Sequence, residues 1–463
     1  MLSIITMSSK TQLENGPRIM GSEMEYLIHD LNHAVTDLPE RFYRYPAFNL
    51  KSIDYFLENG SRFYRDVHNG PEYASAECLG ARGVVAAEIA GEKIVQASVE
   101  SETPRRAAST EVPPPKPLRA FKQLIDTADN TRGHHENYLI RRHADLKKVI
   151  IPAITSHFMS RSIFCGAGSL RKDTKDGKPR FTLIEKGWGI ESTDSSASTT
   201  KKPYVNLRDE PHAAEYTWRR LHVTGGDANI APWAIWFTFA STSAVLRLIE
   251  SGIDLSDLEL ESPLHAMRVF ASDPSLKATA RTIRGKNVTA LNIQEALAER
   301  VDQNIVDKYD DPELKEYVAE ADTACSDAKR DLALLKDRVD WVMKKGIVER
   351  KLDRLNLALD TQQGFDEAKR MDLYYASLSP ISGIGIKLRE RGELRPMVEE
   401  AEIQARIFTP PPDTRAAWRG GYIKDTPRDK IAKGNVKVNW STISVGTGIS
   451  SRTHTRNNPY STK

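Results

Sequence analysis

Three short runs near the N-terminus repeat polar side chains with a period of two. Over such short lengths that period fits a β-strand with two different faces and little else. In residues 20–26 (MGSEMEY), Glu23 and Glu25 stand at i and i+2, so their carboxylates point the same way. In residues 61–67 (SRFYRDV), Arg62, Tyr64 and Asp66 do the same. In residues 71–77 (PEYASAE), Tyr73, Ser75 and Glu77 share one face, with Glu72 on the other or at the strand's start. The second and third runs are separated by His68-Asn69-Gly70-Pro71, a turn sequence, and so read as an antiparallel pair.

Crowded carboxylates repel one another and are stable only around a cation or with raised pKa values. Oxygen donors without cysteine or histidine point to Mg²⁺, which keeps waters and takes phosphate oxygens as further ligands. Glu23, Glu25, Glu72 and Glu77 are the candidate metal residues. Arg208 and Arg220 are candidate contacts to a phosphate or carboxylate, since arginine offers planar paired donors. Histidines 135, 212 and 222 match no zinc spacing and are read as ordinary polar groups. CGAG at 165–168 lacks the Gly-Lys-Ser/Thr that completes a phosphate loop, and that reading is rejected.

Residues 1–17 read as a flexible leader and 49–59 as a helix stopped by Asn59-Gly60. Residues 82–99 read as helical, and 100–117 (ESETPRRAASTEVPPPKP) as a proline-rich linker. The uncharged stretch 228–246 holds Asn229, Pro232 and several hydroxyls, which favours a buried core helix over a membrane span. Beyond residue 290 the chain is helical and charged, with Leu314, Val318 and Ala321 on one stripe. FTPPP at 408–412 marks a boundary; residues 408–440 form a small C-terminal domain and 441–463 a disordered tail. The fold class is α+β, an antiparallel sheet cradle backed by helices. With 66 basic and 63 acidic residues, the chain lacks the basic excess of a nucleic-acid binder. No signal peptide is apparent, and three scattered cysteines suit a reducing cytoplasm.

Taken with GHHENYLI, CGAG, NLRDEPHA, RRLHV, GGDAN, PPPDTRAAWRG and the isolated Trp440, these runs make the chain resemble the family of Pup ligases and Pup deamidases. The motifs lie in that family's order over most of residues 18–440. The resemblance implies a glutamine-synthetase-like catalytic domain over residues 18–407, using ATP and Mg²⁺. It implies Mg²⁺ contacts from Glu23, Tyr64 and Glu72, ATP contacts from Arg62, Ser75 and Trp440, and Asp66 as catalytic base. The partners implied are a small, disordered Pup-like tag and lysine-bearing target proteins. The short stretch between Glu25 and Asn59, and the spacing from Asp66 to Glu72, are those of the ligase branch. GGDAN, residues 272–280 and PPPDTRA sound closer to the deamidase branch, which is the alternative, with a non-catalytic nucleotide-binding relative behind it. Gly70 stands where the family has histidine, and the insert at 100–117 and the tail after Trp440 have no evident counterpart.

Overall fold

The computed structural model describes residues 15–30, 35, 38–43, 54–66, 69–110, 116–125, 131–173, 176–427, 430–431, 434–447 and 450–462. The leader expected at 1–17 falls mostly outside them.

A nine-stranded sheet organises the molecule. Its main path runs Ser192–Ser195, Pro203–Asn206, Trp218–Val223, His134–Arg141, Ile19–Glu25, Pro71–Ala74, Arg62–Arg65 and Asp54–Phe56; Cys78–Leu79 pairs with the start of Ile19–Glu25. Every pairing on the path is antiparallel except that between Ser192–Ser195 and Pro203–Asn206. The fold class is therefore α+β, as the alternation predicts.

The same alternation divides the sheet's faces. Met20, Tyr138, Leu221 and Val223 enter a core with the helices Gly80–Ala107 and Pro232–Glu250. Their strand neighbours Glu23, Asn137, Arg220 and His222 line the opposite face. The helix Pro232–Glu250 is buried along nearly its whole length. Its hydroxyls cost little there because they bond back to the preceding turn: Thr238 to the Ala234 carbonyl at 2.9 Å and Thr242 to that of Thr238 at 2.9 Å. Among the described residues no helix is long and apolar enough to cross a membrane.

Three expectations are corrected. Of the helix expected at 49–59, residues 49–53 lie outside the described residues. Asp54–Phe56 is an edge strand paired with Arg62–Arg65, and Leu57–Gly60 is the turn between them. A short apolar run fits either period, and here the neighbouring strand decides. The linker expected at 100–117 is helical as far as Ala107, with Pro104 inside the helix. Val99 and Glu102 are still buried there, so packing overrides a composition that reads as extended. Finally, the tail expected to be disordered holds Thr442–Val445 and Arg452–Thr455, which form a three-stranded antiparallel sheet with Val436–Val438.

Candidate active site

The open face of the sheet carries a cleft of 270 Å³ whose wall includes Glu23, Arg62, Tyr64, Ser75, Arg220, His222 and Trp440. The register explains the gathering. Glu23 lies opposite both Ala74 and His135, Glu25 opposite Glu72, and Tyr64 opposite Glu72. Four strands thus deliver their outward residues to one place.

Two ligand sets result. In the first, Glu25, Asp66 and Glu72 bring carboxylate oxygens within 4.8 Å of one another. All three are at least nine-tenths buried. Burial drives the Glu72 carboxyl well above its ordinary range, and the charges of Glu23 and Glu25 push it further. Oxygen donors alone, mutually repelling and out of water, fit a hard dication such as Mg²⁺. Asp66 is fixed by its own turn: its Oδ1 accepts the Gly70 N–H at 2.6 Å. The backbone at Gly70 therefore orients Asp66 in the absence of the family's histidine.

In the second set, Glu23, His135 and His222 meet within the same limit. Glu23 Oε2 lies 3.2 Å from His135 Nδ1 and 3.6 Å from His222 Nε2. Burial raises the Glu23 carboxyl, but the His135 hydrogen bond and nearby positive charge outweigh it and hold the group well below the usual range. Burial keeps the His222 imidazole well below its ordinary value, hence neutral and able to donate a lone pair. Its Nε2 is buried without a hydrogen-bond partner. These histidines were passed over because their sequence spacing matched no pattern. Strand parity was the available signal: His135 with Asn137, and His222 with Arg220, occupy one face by the rule that selected Glu23 and Glu25.

Arg220 bridges the floor, reaching Asn137 Oδ1 at 3.1 Å, Glu210 at 3.1 Å and Glu23 at 3.4 Å. The Arg62 guanidinium stacks 4.1 Å over the Tyr64 ring. Ser75 reaches the cleft by a break in parity. Its backbone N–H bonds to Ser22, and the Ser22 N–H bonds to Ser75 Oγ at 2.9 Å in place of a carbonyl. The face expected for Tyr73, Ser75 and Glu77 is accordingly corrected. Glu72 faces the ligand sets, while Tyr73 is buried against Gly91, Asn59 and Ser61.

Two more placements differ from expectation. Arg208 is exposed, donates to the Ser196 carbonyl at 3.4 Å and lies outside the cleft wall. Glu77 is spoken for by two guanidinium groups, Arg415 at 2.7 Å and Arg419 at 2.6 Å. Burial alone would raise its carboxyl, but Arg419 and Arg415 bring it down to about 2. A dication would meet those two charges first, so Glu77 is a clamp rather than a ligand. The same Arg419 contacts both Phe56 and Trp440, whose rings meet edge-on at 4.9 Å.

The glycine-rich and aspartate motifs prove architectural. A Cβ on Gly166 would fall 2.1 Å from the Leu183 carbonyl oxygen, so CGAG is a close backbone crossing. Asp227 of GGDAN accepts the N–H groups of Ala167, Glu185 and Lys186 at 2.9–3.0 Å, holding that turn beside the sheet. Lys186, also missed in the sequence, is half-buried there near Glu25, Asp227, Glu185 and Glu72; desolvation lowers its pKa.

Known proteins resemble this chain over nearly its whole length. A family model described as Pup-ligase protein matches residues 22–444. A Pup–protein ligase of Jonesia denitrificans is 33% identical over 424 residues, covering 89% of this chain and 90% of its own. A Pup deamidase/depupylase of Mycolicibacterium smegmatis is 34% identical over 82% of this chain and 73% of its own. Among solved structures, the complex of Pup with its ligase PafA aligns with a TM-score of 0.85 at 27% identity, over 97% of this chain and 90% of that one. PafA with ADP aligns at 0.79 and 28%, over 92% of each chain. The strands that gather two ligand sets beside an arginine- and tryptophan-lined cleft thus belong to a chain of the Pup-ligase family.

Proposed function

We propose that this chain is an ATP-dependent isopeptide ligase acting on a small Pup-like protein tag. ATP transfers its γ-phosphoryl group to the side-chain carboxylate of the tag's C-terminal glutamate, giving an acyl phosphate and ADP. A target lysine amine then attacks the acyl carbon; phosphate leaves and an isopeptide bond forms. The supporting observation is the juxtaposition of Glu25, Asp66 and Glu72 with the cleft that holds Arg62, Ser75, Arg220 and Trp440.

Glu23, Glu72 and Tyr64 would hold Mg²⁺, with Glu25, His135 and His222 completing the two sets. When bound, Mg²⁺ neutralises phosphate charge and aligns the transfer. Arg62 and Arg220 offer cationic donors to the phosphates, and Trp440 a face for the nucleotide. Asp66 takes the proton that the lysine, ordinarily near pKa 10.4, must lose to become a nucleophile. Three buried free thiols, Cys78, Cys165 and Cys325, support a reducing, cytoplasmic setting.

The depupylase relative keeps a second reading open: removal of the tag, or its deamidation, with nucleotide as a bound cofactor. The larger share of the ligase's length that this chain covers, 90% against 73%, favours ligation. Intact-mass measurement after incubation with tag, target, ATP and Mg²⁺ decides between them. A conjugate formed with matching ADP release is expected. Ammonia or free-target release sustained by ADP would replace ligation with the reverse chemistry, and no change in either mass would sink both.

A further inference from the structure

Residues 456–460 carry one residue of the cleft wall, Pro459. Pro459 is buried and lines the cleft beside Trp440, His212 and Arg415. Four hydrogen bonds, three of them between backbone groups, stitch this segment to separate parts of the molecule. The Asn457 carbonyl accepts from Ala214 N–H at 2.8 Å, in the loop that brings His212 to the cleft. The Pro459 carbonyl accepts from Arg415 N–H at 3.0 Å, and the Arg456 carbonyl from the Arg415 guanidinium at 3.0 Å. Arg456 N–H donates to the carbonyl of Ser441, next to Trp440, at 2.7 Å. Arg415 in turn holds Glu77 of the central sheet.

Tyr460 is the anchor. It is 8% exposed and packs in a cluster with Ile19, Leu139 and Trp218, its ring 5.9 Å from that of Trp218. Ile19 and Leu139 themselves belong to the cleft floor. One short segment therefore joins the His212 loop, the Trp440 turn and the Arg415 helix, which no strand pairing of the main sheet connects.

The cleft is chemically graded. Glu23, Tyr64, Arg220 and His222 gather at one end; Ile19, Leu139, Trp440 and Pro459 supply apolar surface. A nucleotide with its phosphates toward the ligand sets must lay its base and ribose on that apolar surface. We propose that Tyr460 is a positioning residue for the nucleotide: it pins Pro459 as the wall against the base–ribose end and so sets how tightly nucleotide is held. A wall fixed before binding spares the ordering cost on association, and its loss weakens binding without touching the reacting atoms. The inference rests on the cleft being the nucleotide site.

The test uses the full chain with Tyr460→Ala or Tyr460→Phe, and a chain truncated after Thr455. ADP affinity is measured by calorimetry, and KM for ATP and kcat by ADP release with tag and target. Tyr460→Ala is expected to weaken ADP binding and raise KM about tenfold, with kcat within about twofold of the parent and the truncation at least as severe. Tyr460→Phe, which keeps the packing ring, should behave as the parent. If Tyr460→Ala keeps the parent's circular dichroism and binds ADP as tightly, the positioning role is overturned. A fall in kcat with KM unchanged overturns it too, since that marks general damage. Should the parent chain itself bind no ADP, the reading of the cleft falls, and this inference with it. A truncated chain that does not fold leaves the decision to Tyr460→Ala.

Discussion

Asp66 and Glu72 sit within one cluster, yet their substitution should be felt in opposite ways. Asp66→Asn keeps the side chain's shape and its bond from the Gly70 N–H, but removes the acceptor we propose for the lysine proton. Ligation should fall by about 10²–10⁴, the usual range for losing a general base, while ADP affinity stays at the parent's value. Parent-rate ligation by this variant would remove Asp66 from the chemistry. Glu72 is held by the fold as a burdened group, its pKa raised by burial and by Glu23 and Glu25. A raised carboxyl contributes stability that is lost as pH climbs above its unfolded value, so at neutral pH it weighs against the metal-free fold. Glu72→Gln should therefore raise the melting temperature in metal-free buffer while cutting ATP turnover about 100-fold or more. A variant that loses turnover and also melts earlier would contradict this account of the cluster.

Among elements, the contact between the central sheet and the helix Ala416–Asp425 is the most consequential, because Glu77 carries it through Arg415 and Arg419. Removing one partner of a buried pair strands the other charge, so Glu77→Gln should cost about 3 kcal/mol in urea unfolding. The pH dependence follows from the direction of the shift. The folded carboxyl lies at about 2 against an ordinary 4.5, so its contribution is complete above 4.5 and drains away as pH falls toward 2. The parent should lose stability in that window more steeply than Glu77→Gln; equal slopes would refute the clamp. In the sequence, the strands around Glu23, Tyr64 and Glu72 were legible because each sets its period with its own residues. Glu77 was not, since its partners lie more than three hundred positions away and nothing local separates a metal ligand from an ion pair. The strand Asp54–Phe56 and the helical course of residues 100–107 escaped for a similar reason: packing against a distant neighbour settles short, ambiguous runs. His135 and His222 were legible in principle, had strand parity rather than zinc spacing been the test.

At the scale of the whole molecule, the proposed metal site would couple folding to cation binding. The strands Ile19–Glu25, Arg62–Arg65 and Pro71–Ala74 must register correctly to bring the buried carboxylates together, and arriving positive charge relieves the repulsion they then feel. Mg²⁺ at about 100 times its dissociation constant should add roughly 2.7 kcal/mol, which in a chain of 463 residues raises the melting temperature by about 3 °C. Excess EDTA should reverse the rise, and Glu72→Gln should show a smaller one. A melting temperature indifferent to both Mg²⁺ and EDTA would mean that the carboxylates do not hold the ion.

The two faces of the strand His134–Arg141 give the sheet a built-in proofreader. Asn137 lines the cleft and His135 meets Glu23, while Glu136 and Tyr138 are locked beneath with Arg161. Slipping that strand by one residue would turn the Glu136 carboxylate into the cleft and drive an imidazole into the core. Such a chain would forfeit its fold at the same stroke as its chemistry. Deletions in these strands are therefore survivable only in pairs, and an abundant, well-folded but misregistered enzyme is a species the architecture does not permit.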